Sequence, residues 1–264
     1  MGVVGHVEWV EFLEVDQLPR PGAIGHALRN LQEPAGGGAV VAVQMARLLQ
    51  NRVQFFTALG RDSVGEACVK RLEELGLEVH VSWREVTTRR GLSLVDSEGD
   101  RAITVIGDRL TPSLEDDLPW EALGECDGLF VTAADAQLLK ACRSAAVLAA
   151  TPRVGMPVLK QAGICLDALI GSGLDPSECV DLGQLNPAPH TLIRTEGAAG
   201  GFSLPGGRYD PAPLPAPLVE SYGCGDSFAA GVVTGLAARW STARAIALGA
   251  ECGAACATRF GPYG

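Results

Sequence analysis

Glu220-Ser221-Tyr222-Gly223-Cys224-Gly225-Asp226 runs straight into Ser227-Phe228-Ala229-Ala230-Gly231-Val232-Val233. The strand-like approach of Leu218 and Val219 stops at two glycines flanking one residue, and Phe228, Val232 and Leu236 then recur at helical spacing. Such a turn is suited to an anion. Gly223 and Gly225 permit a backbone path that a Cβ would obstruct, so consecutive N–H groups can point at one spot ahead of a helix N-terminus. Asp226 stands where a carboxylate can take a proton from a group attacking that anion. The same residues also describe an ordinary helix start, because Asp is a favoured N-cap.

Composition narrows the choice. The chain has 264 residues, a length that suits one α/β domain or two smaller ones, and its 47% hydrophobic and 20% charged shares are those of a globular chain. A net charge of −10 argues against nucleic acid as a partner, although a nucleotide can still be held by amides and a few arginines. No apolar run approaches the roughly 20 residues of a membrane span. The opening Met1-Gly2-Val3-Val4-Gly5-His6 lacks a basic segment followed by an apolar signal core, so a cytoplasmic location is expected. The eight cysteines form no Cys-x-x-Cys pair and read as reduced, mostly buried small residues.

Elsewhere the pattern alternates strand and helix. Val53 to Gly60 is a buried-strand candidate. A helix carrying Val69, Leu72 and Leu75 follows and stops at Gly76, and a second strand leads on to residue 81. That βαβ order predicts a largely parallel sheet. Leu92 to Asp96, a Glu98-Gly99-Asp100 turn and Ala102 to Ile106 predict a hairpin. Apolar runs at 128–132, 146–150 and 165–170 predict further core strands. Residues 35–49, a glycine-rich turn followed by an Ala- and Val-rich segment, predict another helix.

The 220–226 stretch resembles the Asp-Thr-x-Gly-Ala-Gly-Asp motif of the ribokinase-like (PfkB) carbohydrate kinases. Other segments resemble that family in the same order: Leu18-Pro19-Arg20-Pro21-Gly22 after the first strand, Gly36-Gly37-Gly38, Asp62-Ser63-Val64-Gly65, and Thr195-Glu196-Gly197-Ala198-Ala199-Gly200. The resemblance implies one three-layer domain over residues 1–264. Its central sheet is mostly parallel with helices on both faces, and a small β lid comes from about 8–34 and 84–106. It implies phosphoryl transfer from ATP, with Mg²⁺, to a hydroxyl of a sugar or sugar-like substrate. Asp226 is then the base, and Gly223, Cys224 and Gly225 hold the transferred group. Glu8, Val10, Gly36, Gly37, Val40 and Arg90 fall at substrate positions; Thr195, Gly197, Gly200 and Cys252 fall at nucleotide positions. Ser172 and Asp175 fall at metal positions, and the lid is a candidate homodimer contact.

Several residues depart from that pattern. Val10 and Val40 replace groups that bind sugar hydroxyls, which implies an acceptor with fewer hydroxyls or an apolar part. Glu220 and Tyr222 replace Asp and Thr where many members bind a monovalent cation. Two alternatives follow: a nucleoside kinase of the same fold, or a ligand-binding module without catalysis. A dinucleotide-dependent oxidoreductase is a poor match, because the turn at 36–38 lacks the full Gly-x-Gly-x-x-Gly spacing.

Overall fold

A computed structural model describes residues 1–264. In chain order the elements begin with β1 (Gly2–Val4), β2 (Glu8–Val15), β3 (Ala27–Ala35), α1 (Gly37–Leu49), β4 (Val53–Gly60), α2 (Ser63–Glu74) and β5 (Leu77–Arg84). Next come β6 (Arg90–Val95), β7 (Arg101–Ile106), β8 (Gly128–Val131), α3 (Ala136–Ala141), β9 (Val147–Ala150), α4 (Met156–Ala162) and β10 (Ala168–Ser172). The chain closes with β11 (Thr191–Thr195), β12 (Gly201–Leu204), β13 (Gly207–Tyr209), α5 (Cys224–Ala237) and α6 (Thr242–Cys256). Nine strands form one sheet in the order β13-β12-β11-β10-β9-β8-β1-β4-β5, parallel throughout except for β12 and β13 at one edge. A four-stranded sheet, β3-β2-β6-β7, stands apart from it.

Strand alternation produces the layers. Val3, Phe55 and Phe130 pack with α1, α2, α5 and α6 on one side, whereas their neighbours Val4, Phe56, Leu129 and Val131 pack with α3 and α4 on the other. Both faces are thereby covered, which is why these strands read as continuous apolar runs. The βαβ unit forms at 53–84, with Asp62 capping α2 through the Gly65 amide at 2.8 Å and Gly76 in the left-handed region at φ +95°. No helix is long and apolar enough to cross a membrane.

This arrangement decides where chemistry can occur. Segments leaving the C-terminal ends of β1, β8, β9, β10 and β11 carry Gly5-His6, Thr132, Thr151, Gly173-Leu174 and Glu196-Gly197 to the same rim. The sheet's connections diverge at β1, whose neighbours are β4 and β8. In open α/β sheets the crevice beyond the carboxyl ends of strands at such a divergence is the usual ligand site. Here the four-stranded sheet faces that rim and turns the crevice into a cavity.

Candidate active site

The cavity has a volume of about 550 Å³ and lies between the strand ends, the start of α5 and the small sheet. Asp226 and the backbone of Gly223 and Gly225 line it. Gly223, at φ +75°, is the N-cap of α5, and the helix begins at Cys224. Asp226 therefore sits in the first helical turn and is not the cap, so its carboxylate is not spent on closing the helix. The Cys224 amide donates to the Ser221 carbonyl at 3.4 Å, while the amides of Gly225 and Asp226 have no backbone acceptor. These two N–H groups, at the positive end of the helix, are the donors available to an anion. The sequence reading placed the Cys224 amide in that role as well; its bond to Ser221 turns it away, and its side chain lies off the cavity lining.

Asp226 lies beside the other glycine turn. A Cβ on Gly37 would come within 2.9 Å of Asp226 Oδ1, so only glycine lets α1 approach the carboxylate so closely. Burial raises its pKa to about 6; Arg153 opposes that shift and the carboxylates of Glu178 and Glu8 add to it. A carboxylate tuned towards neutrality is a suitable general base near pH 7.

Tyr222 ties the parts together. Its hydroxyl accepts from the Gly36 amide at 3.1 Å and donates to Glu8 Oε1 at 3.3 Å, and its ring meets Phe12 edge-on at 4.8 Å. Glu8 also accepts from Arg89 Nε at 2.8 Å through Oε2. One tyrosine thus joins the small sheet, the first glycine turn and the anion turn. Nearby, His6 is buried, and its pKa is pushed down to about 3 by burial and by Arg109, Arg89 and Arg153, so it is neutral.

Other expected site residues divide between the cavity and the core. Glu8, Gly36, Gly37, Ser172, Thr195 and Gly197 line the cavity. Val10 and Val40 do not: both are fully buried, Val10 beneath Gly91 in the small sheet and Val40 beneath Gly223. Arg90 is exposed and points away, because strand alternation sends the preceding Arg89 inward. Gly200 serves the β11–β12 turn, where its Cβ position lies 2.1 Å from the Tyr209 carbonyl. Cys252 is buried on α6 and does not line the cavity.

The magnesium positions fit poorly. Asp175 caps the short turn that follows β10, through the Ser177 amide at 2.9 Å, and its other oxygen meets Arg153 at 3.0 Å. Glu178 accepts from Arg153 Nε at 2.6 Å and from the Ser172 amide at 2.9 Å. Every oxygen of both carboxylates is thereby engaged, and the chain holds no group of three His, Cys, Asp or Glu side chains arranged to ligate a metal. Ser172 and Asp175 are thus not built as a metal site, since Arg153 already provides the positive charge there. Burial lowers the Arg153 pKa, but Glu178, Asp226 and Asp175 more than offset this, leaving it raised.

Sequence reasoning missed Arg101, Arg109, Thr132, Thr151 and Arg153, all on the cavity wall. Thr132, Thr151 and Arg153 follow the C-terminal ends of parallel strands, the one signal that points to them.

A family profile described as pfkB family carbohydrate kinase matches residues 3–154 and 164–264. The chain belongs to the pfkB family of carbohydrate kinases. Solved structures agree with that placement at the level of fold. Ribokinase from Thermotoga maritima has 18% identity and a TM-score of 0.74, over 99% of this chain and 93% of that one. Arabidopsis thaliana ribokinase, solved with ribose and ATP, has 18% identity and a TM-score of 0.73 over 98% and 93%. Phosphofructokinase-2 from Escherichia coli, solved with fructose-6-phosphate, has 16% identity and a TM-score of 0.73 over 98% and 93%. No curated protein matches the chain. The glycine turn and Asp226 fall within the second matched stretch, and the carboxylates beyond β10 are held by Arg153.

Proposed function

We propose that this pfkB-family kinase transfers the γ-phosphoryl group of ATP to a hydroxyl of a sugar or sugar-like alcohol. The observation that carries the reading is Asp226: a carboxylate with a pKa of about 6, beside the unengaged amides of Gly225 and Asp226 and facing a 550 Å³ cavity. The acceptor lies on the side of His6, Glu8, Gly36 and Gly37, and the nucleotide on the side of Ser172, Thr195 and Gly197. Asp226 takes the proton of the attacking hydroxyl, the oxygen bonds to the γ-phosphorus, and the bond to the β-phosphate bridging oxygen breaks to release ADP. Charge on the transferred group is met by the amides of Gly225 and Asp226 and by the α5 dipole, with Arg153 close by. Such transfer depends mainly on position and electrostatics. Magnesium enters this reading as part of the nucleotide substrate.

A cytoplasmic location and a homodimer formed through the small sheet belong to the same reading. The dimer is supported by β7, the outer edge strand of the small sheet, where Ile106 is exposed and does not line the cavity. The test of function is ADP release with a panel of alcohols, comparing the unaltered chain with Asp226→Asn. Acceptor-dependent release that the substitution abolishes supports the reading; equal release by both proteins refutes it.

A further inference from the structure

Two of the arginines lining the cavity form no ion pair with a carboxylate. The four that line it are Arg89, Arg101, Arg109 and Arg153. Arg89 is paired with Glu8 at 2.8 Å and Arg153 with Glu178 at 2.6 Å. Arg109 donates only to the backbone carbonyl of Arg153, at 3.2 Å, and Arg101 lies over the Tyr222 ring with Cζ 5.6 Å from its centre. Arg109 is half-buried, and burial together with Arg89 and Arg153 disfavours its charge, with Glu8 only partly opposing them. A guanidinium keeps its proton at neutral pH regardless, so crowded like charges favour an anion beside them.

The two cations sit at the acceptor end. Arg101 is on β7, the strand whose alternate residues Ile103 and Val105 also face the cavity, and Arg109 follows that strand and faces neutral His6. The same end is poor in groups that accept from hydroxyls, because both Glu8 oxygens are already engaged. ATP phosphates have their own partners across Asp226, in the α5 amides and Arg153. Resting on the transfer reading above, we infer that the acceptor alcohol carries an anionic group, a phosphate or a carboxylate, bound by Arg109 and covered by Arg101. Arg109 then sets substrate choice through charge-assisted, two-pronged hydrogen bonds.

The test measures binding first and turnover second. Calorimetric titration uses fructose 6-phosphate as the phosphate arm, gluconate as the carboxylate arm, and fructose and adenosine as uncharged probes. At least one anionic probe is expected to bind about tenfold or more tightly than fructose, and less tightly as salt is raised. Arg109→Gln should collapse that ratio towards one, with a smaller change in the KM for ATP. Arg101→Gln, at an exposed position, should reduce the same ratio and provides a second variant if the first folds poorly. The inference is overturned if fructose or adenosine binds as tightly as both anions, if no probe binds, or if Arg109→Gln chiefly raises the KM for ATP. Arginine-dependent binding of an anion with no ADP release from any probe would instead sink the kinase reading and leave the ligand class standing.

Discussion

Asn in place of Asp226 should make the protein more stable and inactive at once. The carboxyl pKa is raised in the folded protein from 3.8 to about 6, so the fold favours the protonated form. Below the unfolded value the carboxyl is neutral in both states. As pH rises from about 4 to about 6 the folded protein must surrender a proton it holds more tightly than the unfolded chain does, and stability falls. Roughly 2 units at about 1.4 kcal/mol each, discounted for solvent reaching the carboxylate, put the loss at ~1–3 kcal/mol above pH 6. Asn is nearly isosteric and cannot ionise, so its Tm should exceed that of the unaltered chain by ~2–6 °C at pH 8 and match it near pH 4. Calorimetric scans across that range provide the measurement, and turnover should fall by about 10²–10⁴-fold, as for loss of a general base. A Tm difference that does not change with pH, or turnover within tenfold of the unaltered chain, would refute both the burial argument and the assigned role.

Three other outcomes follow from the same geometry. The kcat/KM profile should rise tenfold per pH unit at the acid end and level off above about pH 6, the Asp226 value; a limb centred near pH 4 would contradict it. Gly37→Ala puts a methyl group 2.9 Å from the present Asp226 Oδ1, so the carboxylate must swing aside. kcat should drop by about tenfold or more with little change in Tm. Tyr222→Phe removes the hydroxyl shared by the Gly36 amide and Glu8, both buried, and urea denaturation should show a loss of ~1–3 kcal/mol together with a raised KM for the acceptor.

The fold was written in the sequence wherever a period met punctuation. Val69, Leu72 and Leu75 followed by Gly76 mark a helix and its end, and the apolar runs at 53–60 and 128–131 are long enough to be fully buried strands of a parallel sheet. The β12–β13 pair escaped because Gly206 and Gly207 leave strands of only three and four residues, too short for alternation to register. Within the site, residues of the glycine turns were legible because a backbone constraint is local. Side chains acting across loops were not. Whether Arg89 or Arg90 faces inward is a matter of strand register, which a one-residue slip inverts. Cys252 could be placed on a helix but not on a face, and in the fold it is buried away from the cavity lining. Arg109 and Arg153 come from separate connections that meet only after both sheets have formed.

Three residues satisfy carboxylates at the two ends of the cavity. Tyr222 and Arg89 together saturate Glu8, giving the small sheet a fixed attachment to the anion turn at the cost of one acceptor for substrate. Arg153 does the corresponding thing at the other end, closing Asp175 and Glu178 into ion pairs. At both ends these carboxylates are satisfied by the chain itself.

Asp226-dependent phosphoryl transfer to an alcohol is measured most directly by quenched-flow or coupled detection of ADP, with ATP, magnesium and each acceptor in turn. ADP formation that requires an acceptor, yields one phosphorylated alcohol per ADP and disappears in Asp226→Asn is the expected result. ADP formed at the same rate without any acceptor, or unchanged by Asp226→Asn, would contradict the account.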